Sequence, residues 1–332
     1  MVRWTLEKLV LPLKREWKIS RGSVFEKENY IVTYSEGKLK GKGEVAFITN
    51  GDISKEEVEQ GFKNFADNKG SDLNGLEDIM ARIEESELPA NLRFGIESAY
   101  VHFLAQLMED TPQRVLGVRE VTNIATSFSI PHMGCDEIED YFQSESLQRF
   151  FSLKVKITSE NDIDYVRKIG SLFSGPLRLD GNECFSDARI AGEFLKEISD
   201  LNIELVEQPI SHSHFDECCR LREMSSTLLM ADESLQDGPV IDDFQRAFHG
   251  VNIKLQKAGG YIKAMNQIRE ARALGFKTML GCMIESSLGI SSAMVIGHGV
   301  DFYDLDGFLH LKKDPFDHVF LEKGHLLYSY HH

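Results

Sequence analysis

From about residue 116 onward the chain alternates short apolar runs with amphipathic stretches in a regular beat. The runs ATSFSI, FSLKVKI, PLRLD, IELVEQP, TLLMADE, VNIKLQK, KTMLGC and the weaker VDFYDLDG have the length of strands, and most have the composition. Between most of them lie helical patterns such as SDARIAGEFLKEISD, DDFQRAF and YIKAMNQIREARALG. Eight strands separated mainly by helices predict a closed parallel barrel rather than a short sandwich. Residues 1–115 have a different texture and read as a separate α+β region. There NYIVTY, a Gly-containing turn and a second strand-like run predict a hairpin between Glu28 and Phe47. GDISKEEVEQGFKNF predicts an amphipathic helix capped by Asp52 or Ser54, and NLRFGIESAYVHFLAQLME a more apolar one. GKGE at 41–44 is too short for a phosphate loop and reads as a hairpin turn.

Charged residues close several of the predicted strands. In FSLKVKI the period of two puts Lys154 and Lys156 on one face, where like charges repel. Alone, such a pair reads equally as a solvated edge strand. Asp180, Glu207 and Asp232 end LRLD, ELVE and LMAD, and Lys254 follows in VNIK. From Lys156 to Lys254 these marks fall 24, 27, 25 and 22 residues apart, about one strand plus one crossover helix each. In a barrel, groups at the C-terminal ends of strands converge on one mouth. Any one carboxylate could be a surface residue or a cap. Three in successive units repel one another without a counter-ion, and hard oxygen donors favour Mg²⁺ over Zn²⁺. Lys156 on the second strand and Lys254 on the sixth are expected to face each other across that mouth. Lys154 is expected to lower the pKa of Lys156 by repulsion. A neutral lysine can then take a proton from carbon beside a carboxylate while the metal stabilises the enediolate, and the second lysine can return a proton to the other face.

Composition narrows the class. The 332 residues suffice for one large or two moderate domains, and 42% hydrophobic with 27% charged residues argues against extensive disorder. A net charge of −16 disfavours nucleic-acid binding. The N-terminal MVRWTLEKLVLPLKREW has no extended apolar core, so no secretory signal or membrane span is expected. Five cysteines, with Cys218 and Cys219 adjacent, do not resemble a disulfide framework and suit a reducing, cytoplasmic setting. HSHFDECC, 212–219, matches no zinc spacing and reads as a polar loop entering a helix.

The motifs LKVK, RLDGN, VEQP, MADES, NIKLQKAGG, GCMIES and DLDG together resemble the enolase superfamily. Within it they resemble the muconate-lactonizing-enzyme subgroup and dipeptide epimerases of the L-Ala-D/L-Glu type. The resemblance implies a modified (β/α)7β TIM barrel at 116–310 with an N-terminal α+β capping domain at 1–115. A C-terminal segment, 311–332, is implied to return to the cap. It implies a Mg²⁺-dependent dipeptide epimerase acting on a small-molecule substrate, with homo-oligomerisation possible in the family. Lys156 and Lys254 then match the acid/base lysines and Lys154 their electrostatic helper; Lys257, three residues on, is the less favoured alternative. Asp180, Glu207 and Asp232 match the metal ligands. Asp304 and Asp306 match carboxylates that bind a dipeptide's free ammonium, where the alternative is an Asp-stabilised turn before Gly307. Arg21 in ISRGS is a candidate for an acidic side chain, one residue out of register with the arginine of glutamate-selective relatives. Glu285 in GCMIES is expected to position substrate or hold its loop. o-Succinylbenzoate synthase shares the lysine and metal framework, but its substrate has no amine for Asp304 and Asp306. A non-catalytic binding barrel is the remaining alternative.

Overall fold

A computed structural model describes residues 2–19, 22–48 and 51–328. Strand β1 (Val2–Ile19) pairs antiparallel with β2 (Gly22–Glu36), which pairs in turn with β3 (Leu39–Val45). The β2–β3 connection is the expected hairpin, and Gly37 at φ +62° supplies its left-handed turn residue. The 18-residue β1 was not expected. Its register slips between Pro12 and Trp17, which breaks the alternation by which a strand is recognised. Helix α1 (Lys55–Asn68) starts at Ser54, not Asp52: the Ser54 hydroxyl accepts from Glu57 N, and the Glu57 carboxylate accepts from Ser54 N. Helices α2 (Leu76–Glu84) and α3 (Ala90–Met108) complete the layer, enclosing Val32, Tyr34, Phe65 and Leu92 against the sheet. β3 lies almost on the α3 backbone, since a Cβ on Gly41 would fall 1.9 Å from Ala99 O.

β4 (Asn123–Ala125) leads into the barrel. Its strands are β5 (Ser127–Ile130), β6 (Ser152–Lys156), β7 (Leu177–Asp180), β8 (Ile203–Glu207), β9 (Leu228–Ala231), β10 (Gly250–Lys254), β11 (Lys277–Gly281) and β12 (Phe302–Asp304). They pair in sequence order and all run parallel. Ser127 Oγ reaches Tyr303 O across the remaining seam, so the sheet is nearly closed. Helices such as Ile163–Leu172, Ala188–Glu197 and Tyr261–Ala273 fill the crossovers. The fold is the expected modified TIM barrel behind an α+β cap. One crossover differs: DDFQRAF makes only a 3-10 turn, Asp242–Arg246, that buries no side chain. At the C-terminus β13 (Val319–Glu322) and β14 (His325–Tyr328) pair with each other and with β4, while Leu311 bridges Leu13 of β1.

Cap and barrel are joined by buried polar contacts. The Glu44 carboxylate of β3 accepts from Asn29 Nδ2, Ser286 N, Ser286 Oγ and Gly289 N, so it caps the barrel helix Ser287–Val295. Glu97 of α3 accepts from Ile262 N at the start of Tyr261–Ala273. Gln256, two residues past Lys254, donates to Glu44 O and accepts from Ala46 N. No helix among the described residues is long and apolar enough to cross a membrane.

Candidate active site

Strand register brings the predicted residues together. Lys156 lies opposite Asp180, and Asp180 opposite Glu207, on adjacent parallel strands. Glu207 pairs with Met230, so Asp232 stands two residues further along the next strand's end. All three carboxylates and Lys154, Lys156 and Lys254 are buried. Lys154 Nζ sits 2.8 Å from Asp180, 2.7 Å from Glu207 and 2.7 Å from Asp304. Lys156 Nζ donates to Asp180 at 2.6 Å and to Asn182 Oδ1 at 3.0 Å. On the far side Lys254 Nζ donates to Asp232 at 2.8 Å, and Lys257 donates to the other oxygen of the same carboxylate.

Alternating charges set the electrostatics. Burial by itself favours the neutral amine of Lys154, but Asp180, Asp304 and Glu207 outweigh it and hold the group well above the usual lysine range. Lys254 is likewise buried and is raised by Asp232 and Glu207. Lys154 is thus a counter-ion shared by three carboxylates, beyond its expected part as a repelling neighbour of Lys156. Burial opposes ionisation of Asp180 and Asp232, yet the lysines hold both below the ordinary carboxylate range. Glu207 goes the other way, raised to about 8 by burial and by Asp180. Its Oε2 makes no hydrogen bond, the approach of Lys154 being out of alignment.

Lys154, Lys156, Asp232, Lys254, Asp304 and Asp306 line one cavity of 540 Å³ under the cap. Asp180 and Glu207 are not in its wall. Asp304 accepts from Ser127 Oγ at 2.7 Å as well as from Lys154, and burial is overcome by Lys154, so its pKa lies below the ordinary range. Asp306 accepts from Ser129 N and from His310 Nε2. Glu285 turns away from this cavity. It accepts from Met283 N and Gln256 Nε2, and burial beside Glu44 raises it to about 7. Arg21 lies outside the described residues.

Some wall residues carried no sequence signal. Trp17 of β1 reaches into the mouth, with Lys156 Nζ 5.9 Å from its ring centroid. An unrecognised strand hid it. Asn182 links Lys156 to Glu233, donating to Glu233 Oε1 at 3.2 Å. It follows Asp180 in RLDGN, so the motif held the signal although the residue was not singled out.

Three buried carboxylates at successive strand ends, one with an oxygen lacking a hydrogen bond, have the donor chemistry of a hard, oxygen-seeking cation. Their residues fit such an ion by type. Among the described residues no group of three or more His, Cys, Asp or Glu is already arranged to hold one, because ammonium groups stand between the carboxylates.

Residues 137–322 match the family model described as enolase C-terminal domain-like. The chain is 30% identical to the L-Ala-D/L-Glu epimerase of Bacteroides thetaiotaomicron over 76% of its own length and 66% of that relative. It is 27% identical to a hydrophobic dipeptide epimerase of a Flavobacteria bacterium, over 95% of this chain and 92% of the other. A substrate-liganded complex of the L-Ala-D/L-Glu epimerase from Bacillus subtilis superposes with a TM-score of 0.88 at 25% identity, covering 98% and 96% of the two chains. Dipeptide epimerases solved with magnesium and a dipeptide share the fold at 22–24% identity. The chain belongs to the enolase superfamily, in its muconate-lactonizing-enzyme branch, and resembles that branch's dipeptide epimerases.

Proposed function

We propose that this protein is a dipeptide epimerase that inverts the α-carbon of the C-terminal residue. The observation that carries the proposal is the cavity whose wall holds Lys156 and Lys254, from the second and sixth of eight barrel strands, together with Asp304 and Asp306. Two lysines on opposite sides of a barrel can reach opposite faces of one carbon, as inversion requires and one-sided elimination does not. One amine, when neutral, takes the α-proton; the other, as ammonium, delivers a proton to the opposite face. Their roles exchange in the reverse direction. Lys254, held cationic by Asp232 and Glu207, is suited to begin as donor.

Asp180, Glu207 and Asp232 would hold Mg²⁺, which when bound supplies positive charge to the substrate carboxylate and offsets the charge that builds up as the α-proton leaves. Lys154 holds Asp180, Glu207 and Asp304 in a balanced cluster, and Asn182 orients Lys156. Asp304 and Asp306 form the receptor for the free N-terminal ammonium. A free amino acid is too short to meet both this receptor and the opposite carboxylate site.

The test is mass-spectrometric measurement of α-deuterium uptake in D₂O with Mg²⁺, across free dipeptides, their N-acetyl forms and the o-succinylbenzoate synthase substrate. Labelling and inversion of free dipeptides, with N-acetyl forms at least about tenfold poorer from loss of a charged pair, is the expected result. Turnover of the dehydration substrate with no dipeptide labelling would reject the proposal. Equal activity on free and acetylated dipeptides would remove Asp304 and Asp306 from it.

A further inference from the structure

A second cavity, of 280 Å³, adjoins the first. Their shared walls are Ile48, Gly51, Asp52, Gln236, Lys257 and Met283. None of Trp17, Lys156, Asp304 or Asp306 lines it, so it lies away from the proposed ammonium receptor. A dipeptide fixed at both ends keeps its N-terminal side chain beside that receptor. The side chain of the residue being inverted is the group free to point the other way.

The chemistry of the wall selects what can enter. Ala46, Ile53, Leu88, Pro89 and Ala90 give it apolar surface. Its interior polar groups are already engaged within the protein. Gln256 bonds to Glu44 O, Ala46 N and Glu285, while Asn91 Nδ2 donates to Ala46 O. Gln236 Nε2 donates to Glu233 O, and Lys257 is held by Asp232. Arg93, the remaining cation of the wall, is paired with Asp237 at 2.5 Å. A charged side chain entering here would lose its hydration and displace an existing partner, whereas an aliphatic or aromatic one loses nothing.

We infer that this cavity receives the side chain of the residue being inverted and selects uncharged, apolar side chains of the leucine, methionine or phenylalanine class. The inference rests on the dipeptide epimerase assignment and adds the substrate class. It is tested by kcat/KM for α-deuterium uptake on L-Ala-L-Xaa, with Xaa Ala, Leu, Met, Phe, Glu and Lys. Wild type favours Leu, Met or Phe over Ala, Glu and Lys by about tenfold or more. Ala90→Phe fills the cavity from the first turn of α3 and lowers the Leu-to-Ala ratio about tenfold. Asp237→Ala frees Arg93 and raises the Glu-to-Leu ratio. Each ratio is taken within one variant, so a reduced folded fraction cancels. Wild-type preference for Glu or Lys, or ratios unmoved by both variants, overturns the subsite and leaves the epimerase assignment standing. Labelling of no dipeptide at all overturns both.

Discussion

Lys154 is the residue on which the buried charges of the barrel depend. One ammonium contacts Asp180, Glu207 and Asp304, two of which are completely buried. Removing it leaves carboxylates that can neither reach water nor pair. Lys154→Ala is therefore expected to destabilise the metal-free protein by about 3–5 kcal/mol, read from urea unfolding with a chelator present. A change under about 1 kcal/mol would mean that the neighbouring lysines replace it. Asp180→Asn keeps the side-chain shape and removes the charge. It is expected to weaken Mg²⁺ binding at least about tenfold by calorimetric titration, and unchanged affinity would remove Asp180 from the ligand set. At this scale the sequence was informative about residue types and positions, because strand ends recur at a regular interval. It was silent on pairing. That Asp304 shares its counter-ion with Asp180 depends on how the sheet closes from β12 back to β5, a contact 150 residues apart in the chain.

At the scale of elements, the cap is tied to the barrel at helix starts. Glu97 of α3 accepts from Ile262 N, and Gly260 at φ +138° lies so close that an added Cβ would fall 1.6 Å from Glu97 Oε2. Burial raises the Glu97 carboxyl to about 8. Between its ordinary pKa and that value the native state keeps a proton that the unfolded chain has lost. Its stabilising effect is therefore complete below the ordinary carboxylate range and is lost as pH rises through about 8. Glu97→Gln cannot ionise. Urea midpoints from about pH 5 to pH 9 are expected to fall less steeply for this variant than for wild type; parallel slopes would assign the titration to another group. Gly260→Ala is expected to cost about 2–4 kcal/mol, since both the backbone angle and the contact forbid a Cβ. Neither Glu97 nor Gly260 was legible as a contact. In NLRFGIES the glutamate is one polar residue in an apolar helix, and its partner is 165 positions away.

For the whole molecule, the barrel was legible because each unit repeats one strand, one crossover and one polar strand end. The cap was only partly legible, since its longest strand carries Pro12 and a slipped register, and Trp17 reached the mouth on that strand. The hairpin β13–β14 was hidden by its shortness, four residues a strand, and by pairing with a segment nearly 200 residues earlier. The chemistry assigned to the molecule depends on two lysines acting from opposite faces, and stereospecific exchange tests that most directly. Lys156→Ala and Lys254→Ala would each be incubated in D₂O with L,L- and L,D-epimers of an accepted dipeptide, and both label and configuration followed. Each variant is expected to lose inversion by at least about a hundredfold while still exchanging the α-proton of one epimer, the two variants retaining opposite epimers. Inversion at the wild-type rate in both variants, or retention of the same epimer by both, would contradict the two-face mechanism.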